Sequence, residues 1–241
     1  MRLDIPSLQF LHLSGRLPAE PLEMAVMSRL VRPGDVFVDV GAHWGMYVPH
    51  IFGRLGPTGR YMAIEPGPIN ISFLRKAFTR LGENFQIVQA AISDRSGTSY
   101  LHGDGTPGAF ISSEQIDAVP VRVERLDSIL LPLEEDRCVV MKIDTEGQEA
   151  AVIRGCKGLA NAGIEPIFFL EYLPSIHGQS REDILDTVEA TFGPRYTFWA
   201  IDQCAGDLRA FRRGDDLGKG VRNMLAIPAQ REERLATIFE R

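Results

Sequence analysis

One stretch, residues 36–45, constrains the fold of this chain more than any other. It reads Val-Phe-Val-Asp-Val-Gly-Ala-His-Trp-Gly, and its apolar first half predicts a strand covered on both faces, as in a parallel sheet. Gly41 and Gly45 predict a sharp turn in which the backbone passes close to a ligand. Residues 46–55 predict a helix whose first N–H groups face the same crevice.

Dinucleotides and S-adenosylmethionine are the two cofactor classes that bind such a strand, loop and helix. A pyrophosphate favours G-x-G-x-x-G without a nearby anion, whereas Gly41 and Gly45 have the spacing G-x-x-x-G and follow Asp39. Asp39 would repel a pyrophosphate but attract the ammonium and sulfonium groups of S-adenosylmethionine. Glu65 ends the next apolar run and can accept hydrogen bonds from ribose hydroxyls, as in an NAD enzyme. The loop therefore favours S-adenosylmethionine, and Glu65 indicates an adenosine site without choosing the cofactor.

Composition excludes several classes of protein. A chain of 241 residues with 44% hydrophobic and 24% charged residues predicts one large globular domain. The net charge of −6 and the scattered Lys and Arg residues predict no nucleic-acid partner. Cys138, Cys156 and Cys204 fit neither a disulfide framework nor a zinc site. With neither a signal peptide nor a run long enough to span a membrane, the sequence predicts a cytoplasmic protein.

The remaining pattern predicts an α/β fold with about seven strands and helices on both faces of a parallel sheet. Predicted strands occupy residues 36–40, 60–64, 85–92, 138–143, 167–170, 196–201 and 223–227, with 207–211 as a hairpin arm. Predicted helices occupy residues 20–30, 46–55, 68–81, 126–130, 146–154 and 181–192. Residues 98–117 predict an insertion near the cofactor edge, followed by a short strand at 119–123. We expect a helical N-terminal extension or cap at 1–33 and the main domain at 34–241.

Short motifs follow one another between residues 38 and 171. They read Val-Asp-Val-Gly-Ala-His-Trp-Gly (38–45), Ala-Ile-Glu-Pro (63–66), Ala-Ala-Ile-Ser-Asp (90–94), Arg-Leu-Asp (125–127), Lys-Ile-Asp-Thr-Glu-Gly-Gln-Glu (142–149) and Leu-Glu (170–171). In this order they resemble the FkbM family of methyltransferases. The resemblance extends over roughly residues 34–172, and the block at 142–149 is its most distinctive part.

The resemblance implies a class I, Rossmann-like methyltransferase: a seven-stranded, doubly wound sheet with the last strand antiparallel. It also implies S-adenosylmethionine as cofactor and, usually, a hydroxyl oxygen as acceptor. By position it assigns Asp39, Gly41, Ala42 and Gly45 to the methionine end, Glu65 and Pro66 to the ribose, and Ala91 and Ile92 to the adenine. Trp44 departs from the family, where a smaller residue is common; it could narrow the loop, stack on a substrate or simply pack.

Methyl transfer to an alcohol requires alignment of the acceptor and removal of its proton. Asp144 follows the fourth predicted strand and could orient the cofactor amine or accept that proton, but it could equally cap a helix starting at Glu146. His177, in the loop after the fifth strand, is the second candidate base, although most loop histidines are merely solvated. Glu146, Glu149 and Glu171 could together hold Mg²⁺, but a helix dipole stabilises first-turn carboxylates without any metal, so we do not favour one.

The sequence thus predicts an S-adenosylmethionine-dependent O-methyltransferase acting on a sugar, glycan or secondary metabolite. Tyr172 and Trp199 could shape the acceptor pocket, although such aromatic residues more often belong to the core. One alternative is an NAD-dependent oxidoreductase, disfavoured by the glycine spacing, by Asp39 and by the lack of a Tyr-x-x-x-Lys pair. The other is a non-catalytic binding protein on the same fold.

Overall fold

A computed structural model describes residues 21–105, 108–133, 137–172, 180–202, 205–218 and 221–239 of the chain. The strands of its main sheet are β1 (Val36–Val40), β2 (Arg60–Glu65), β3 (Phe85–Gln89), β8 (Val139–Ile143), β9 (Ile167–Glu171), β10 (Tyr196–Asp202), β11 (Asp207–Phe211) and β12 (Val221–Pro228). A second sheet contains β4 (Ala91–Ile92), β5 (Gly97–His102), β6 (Phe110–Ser112) and β7 (Val119–Glu124).

The main sheet has the order β11-β10-β12-β9-β8-β1-β2-β3 among the described residues. β1 pairs in parallel with both β2 and β8, and β9 continues the parallel set beside β8. β12 is antiparallel to β9 and to β10, which confirms the predicted antiparallel last strand. The described part of the chain has eight strands in this sheet rather than about seven, because the hairpin arm β11 pairs with β10 along the whole of its length.

Helices cover both faces of this sheet. They are α1 (Pro21–Leu30), α2 (Val48–Ile51), α3 (Pro68–Phe78), α4 (Leu126–Leu130), α5 (Glu149–Arg154), α6 (Lys157–Asn161), α7 (Arg181–Phe192) and α8 (Ala236–Phe239), with 3₁₀ turns at Phe52–Leu55 and Ala229–Leu235. The main core has two halves, one on each face of the sheet, and β1 contributes to both. Val36, Val38 and Val40 pack towards α4–α7, and Phe37 packs towards α1–α3. Alternate side chains of a strand point to opposite faces, so an apolar strand supplies both halves.

The second sheet was not predicted as a sheet. Residues 85–92, expected to form one strand, divide into β3 in the main sheet and β4 in the second, where β4 pairs with β7. The segment 98–117 supplies β5 and β6, which form an antiparallel ladder with β7. This sheet buries a small core of its own, formed by Ala91, Leu101, Val121 and Val123.

Two predicted helices begin later than expected. The helix predicted at 46–55 consists of α2, which starts at Val48, and a 3₁₀ turn. The helix predicted to start at Glu146 starts at Glu149, because Glu146 and Gly147 adopt φ angles of 54° and 96°, outside the right-handed helical region. In the described residues no helix combines the length and the apolar character that a membrane crossing requires.

Residues near the C-terminus are fastened to the start of β1 by a buried ion pair. The Arg234 guanidinium donates hydrogen bonds to both oxygens of Asp35, at 2.5 and 3.0 Å, and a third to the backbone oxygen of Leu30. Only 5% of either charged side chain is exposed. Removing either partner of such a pair would leave a buried charge, which is why the pair stabilises the fold.

Candidate functional site

The glycine loop joins β1 to α2 at the carboxyl edge of the parallel strands. Gly41 has a φ of 84°, and a Cβ placed on it would lie 1.9 Å from the backbone oxygen of Asp144. Gly45 has a φ of 80°, and its Cβ would lie 2.5 Å from the ring of Phe78. Other parts of the chain therefore fill the space beside Gly41 and Gly45. The sequence had predicted that a ligand would pass close to the backbone at these two glycines. Ala42 is buried in the core between them.

His43 and Trp44 lie in the middle of this loop and pack on each other. Their rings stack at a centroid distance of 4.3 Å, and the indole also lies 6.3 Å from the ring of Phe73. His43 has a φ of 48°, which turns its backbone N–H towards Glu65. Of the three roles considered for Trp44, the structure shows packing.

Glu65 ends β2 and holds the loop in place. Its Oε2 accepts a hydrogen bond from the backbone N–H of His43 at 2.9 Å, and its Oε1 accepts from the Gly67 N–H at 2.9 Å and the Asn70 amide at 3.2 Å. Burial raises the pKa of Glu65 although these hydrogen bonds oppose the shift. The carboxylate is thus oriented by the protein, and Oε2, which accepts only one of these hydrogen bonds, retains lone-pair capacity for a further donor.

Asp104 reaches the same corner from the loop after β5. One of its oxygens and Oε1 of Glu65 lie within 3 Å of the position that a Cβ on Gly67 would take. Beyond Pro66, between β3 and β7, lies a cavity of about 450 Å³ whose rim includes Arg75 and Arg122. The second sheet therefore forms one wall of the space next to the predicted ribose position.

Asp39 lies beneath the loop rather than on its surface. Its side chain is fully buried, Oδ2 accepts a hydrogen bond from the Tyr61 hydroxyl at 2.7 Å, and Oδ1 has no hydrogen-bond partner among the described residues. Burial raises its pKa to about 6, against the attraction of Lys142, which is its register partner on β8. Asp39 therefore has no oxygen exposed to the crevice, where the sequence had placed it, and can act on a ligand at the loop only through its charge.

Asp144 immediately follows β8 and does not cap a helix. The Lys142 ammonium donates a hydrogen bond to its Oδ2 at 2.6 Å, and a third of the Asp144 side chain is exposed. Burial raises the pKa of Asp144, but the Lys142 charge and hydrogen bonds outweigh it and leave the pKa lowered. Glu149 instead organises the loop, because its Oε1 accepts hydrogen bonds from the N–H groups of Thr145 and Gly147. The described residues contain no group of three or more His, Cys, Asp or Glu arranged to hold a metal ion.

The remaining predicted residues are less informative. Ala91 and Ile92 are buried, the first in the core of the second sheet and the second in the main core, so their side chains do not line an open crevice. Tyr172 and Trp199 pack against the two halves of the main core. His177 lies outside the described residues.

Lys142 and Tyr61 are the site residues that sequence reasoning missed. Both occur in apolar strands, and a lysine in the run Val-Val-Met-Lys-Ile is the signal that could have revealed the first. Tyr61 carries no comparable signal, because a tyrosine in a strand is ordinarily part of the core.

Comparison with known proteins agrees with this geometry. The family described as "Methyltransferase FkbM domain" matches residues 39–203. The chain is 28% identical over 196 residues to the 31-O-demethyl-FK506 methyltransferase FkbM of Streptomyces tacrolimicus, an alignment that covers 76% of this chain and 73% of the relative.

One solved structure illustrates the likeness in fold, and a second matches more weakly. Methyltransferase FkbM from Methylobacillus flagellatus KT superimposes with a TM-score of 0.54 at 14% identity, covering 80% of this chain but only 44% of that one. Aeropyrum pernix fibrillarin in complex with S-adenosyl-L-methionine matches with a TM-score of 0.47 at 13% identity, covering 85% and 73%. The first likeness, together with the strand order, confirms the Rossmann-like class I methyltransferase fold. The family match includes well over half of the chain, which therefore belongs to the FkbM family of S-adenosylmethionine-dependent methyltransferases.

Proposed function

We propose that the protein transfers the methyl group of S-adenosylmethionine to a hydroxyl oxygen of a sugar, glycan or secondary metabolite. The observation that carries this proposal is the set of buried or partly buried carboxylates at one sheet edge, from Asp39, Glu65 and Asp144, around a glycine loop. The name of the Streptomyces relative describes methylation of an O-demethylated compound, which supports oxygen as the acceptor atom. The acidic net charge of −6 supports a small-molecule or glycan acceptor over a nucleic acid.

The residues present fit the cofactor. Asp39 and Asp144 supply negative charge beside the loop of Gly41 and Gly45, where the methionine end carries its ammonium and sulfonium groups. Oε2 of Glu65 has a lone pair left for a ribose hydroxyl, and the carboxylate is already oriented by three donors. When bound, the cofactor supplies a methyl group on a positively charged sulfur, which is the electrophile of the reaction.

Pro66, next to Glu65, is proposed to border the adenine together with the backbone at Ala91 and Ile92.

Two residues are proposed to remove the proton from the acceptor hydroxyl. Asp144 is partly exposed and ionised, so its carboxylate can take the hydroxyl proton as the new carbon–oxygen bond forms. His177 remains the second candidate for this role.

Calorimetric titration tests the cofactor before any acceptor is known. The wild-type protein should bind S-adenosylmethionine and S-adenosylhomocysteine with micromolar affinity and should not bind NAD(H). Asp39→Asn and Glu65→Gln should weaken both interactions, while Glu83→Gln, which changes an exposed carboxylate away from the site, should not. Binding of NAD(H) alone would refute the proposal. Screening of hydroxylated acceptors for O-methyl products then tests the acceptor class.

A further inference from the structure

Lys142 occupies an unusual position for a charged residue. It belongs to a central strand, its side chain is 3% exposed, and its Nζ lies 2.6 Å from Oδ2 of Asp144. The same ammonium lies 4.7 Å from the centroid of the Tyr47 ring, whose hydroxyl donates a hydrogen bond to Glu23. An ammonium in a sheet interior costs stability unless it is paired, and the partner of Lys142 is Asp144 at the carboxyl edge of the sheet.

Glu171 approaches Asp144 from the neighbouring strand. β8 and β9 are parallel and adjacent, so the residues that end them lie at the same edge of the sheet. Ile143 pairs with Leu170 in this register, so Asp144 and Glu171, which follow them, come side by side. The two carboxyl groups interact directly, and Oε2 of Glu171 is buried without a partner among the described residues. Burial and the charge of Asp144 raise the pKa of Glu171 far above its ordinary value. Burial beside a second carboxylate thus favours the protonated form of Glu171.

Other charged groups around Asp144 and Glu171 favour or disfavour the ionised forms of these two residues. His43, on the glycine loop, favours the ionised form of Asp144, whereas Glu146 further disfavours ionisation of Glu171. Asp39 is the remaining carboxylate facing this region, and it interacts with both Lys142 and Asp144. Lys142, 2.6 Å from Asp144, is the largest of the attractive influences upon it.

We propose that Lys142 and Glu171 are positioning residues for Asp144. Lys142 binds Oδ2 and keeps the carboxylate ionised, while neutral Glu171 donates a hydrogen bond to the same group, so that Asp144 presents one oriented negative charge to the crevice. This inference rests on the proposed function, in which that charge binds the cofactor amine or accepts the acceptor's proton. In the second case the oxygen–hydrogen bond breaks as the carbon–oxygen bond forms, the proton passes to Asp144, and the electron pair of the broken sulfur–carbon bond stays on sulfur.

A comparison of Glu171→Gln with Glu171→Leu tests the donor role of Glu171. A glutamine amide donates a hydrogen bond as a neutral carboxylic acid does, so Glu171→Gln should bind S-adenosylhomocysteine within about twofold of the wild type. Leucine fills similar space without a donor, and Glu171→Leu should lose at least about tenfold in affinity. Equal losses in both variants would show that the ionised form of Glu171 is required and would overturn the proposal.

Lys142→Met tests the electrostatic role and needs no ligand. Carboxyl ¹³C NMR titration of the cofactor-free protein, with Asp144→Asn and Glu171→Gln used for assignment, should show the Asp144 midpoint rising by at least about one pH unit in Lys142→Met. A merely structural lysine would leave this midpoint unchanged, which would overturn the proposal. If the wild type bound no S-adenosylhomocysteine, the proposed function would fail while the NMR titration still decided the positioning role. If Lys142→Met did not fold, a protonated Glu171 signal at neutral pH in the wild type would support the proposal and an ionised one would refute it.

Discussion

Asp39→Asn should gain stability relative to the wild type as the pH rises from acidic to neutral. The Asp39 carboxyl is fully buried, and its pKa is raised from 3.8 to about 6. The folded state therefore binds a proton more tightly than the unfolded state, and the contribution of Asp39 to stability falls as pH rises from about 4 to 6. A shift of about two units corresponds to a cost of about 3 kcal/mol above pH 6, which an uncharged asparagine does not incur.

Urea unfolding followed by circular dichroism, at several pH values between 4 and 7.5, measures this cost. The stability of Asp39→Asn minus that of the wild type should increase by about 2–3 kcal/mol across this range. The change of this difference with pH is independent of groups that titrate alike in both proteins. It is also independent of any pH-independent loss of stability from placing the new amide next to Tyr61. Glu83→Gln, at an exposed position, is the control and should give a nearly flat difference. A flat or falling difference for Asp39→Asn would refute the argument that the buried carboxylate is ionised at a cost.

The other predictions concern the loop, the ribose position, the buried ion pair and metal dependence. Gly41→Ala should abolish S-adenosylhomocysteine binding or prevent folding, because its Cβ would lie 1.9 Å from a backbone oxygen, whereas Gly53→Ala, with no atom within 4 Å of its Cβ, should behave as wild type in thermal unfolding and calorimetry. Glu65→Gln should weaken S-adenosylhomocysteine binding by about tenfold or more through loss of a charge-assisted acceptor, and unchanged affinity would argue against the ribose contact. Arg234→Met should lower the unfolding free energy by about 3–5 kcal/mol in urea titration, because Asp35 is left as an unpaired buried charge, and a loss below 1 kcal/mol would contradict this. Methyl transfer should proceed equally with and without EDTA once an acceptor is found, and loss of activity restored by Mg²⁺ would show that a metal is required.

Elements whose signals are local were predictable from the sequence. Helix α7 occupies the predicted residues 181–192, because Ser180 and Asp183 form a reciprocal capping box at its start and apolar residues recur at helical spacing. Strand β1 was equally clear, since a short apolar run before a glycine turn has few other structures available to it. In both cases the information lies within the element and its immediate neighbours.

Elements that depend on distant partners were not predictable. The second sheet brings β5 and β6 against β7 around a small core. β5 is largely polar and β6 is only three residues long, so neither shows a clear apolar period. The late start of α5 has a different cause: Glu149 accepts hydrogen bonds from the backbone of the preceding turn and stabilises a non-helical path there. Helical spacing of apolar residues does not reveal such a competing interaction.

The candidate site was predictable in its positions but not in its interactions. Parallel strands bring their carboxyl ends to one edge, so Asp39, Glu65 and Asp144 could be placed together from their order alone. Their partners depend on register between strands far apart in the chain, as when Lys142 of β8 comes to lie beside Asp39 of β1. The sequence therefore predicted acids at an open crevice, whereas the structure buries one of them completely.

The balance of charge at this edge suits a cationic organic ligand better than a divalent metal ion. Lys142 occupies Oδ2 of Asp144, an oxygen that a metal would need as a ligand, and it cancels part of the negative charge, on which a divalent ion depends more than a monovalent one. Glu171, in the protonated state that we propose, is a poor ligand for Mg²⁺, which binds ionised oxygens. Asp39 adds negative charge from below without offering an exposed oxygen. An ammonium or sulfonium group needs only the field of these carboxylates and a single hydrogen-bond acceptor, and its binding would offset part of the stability that burying them costs.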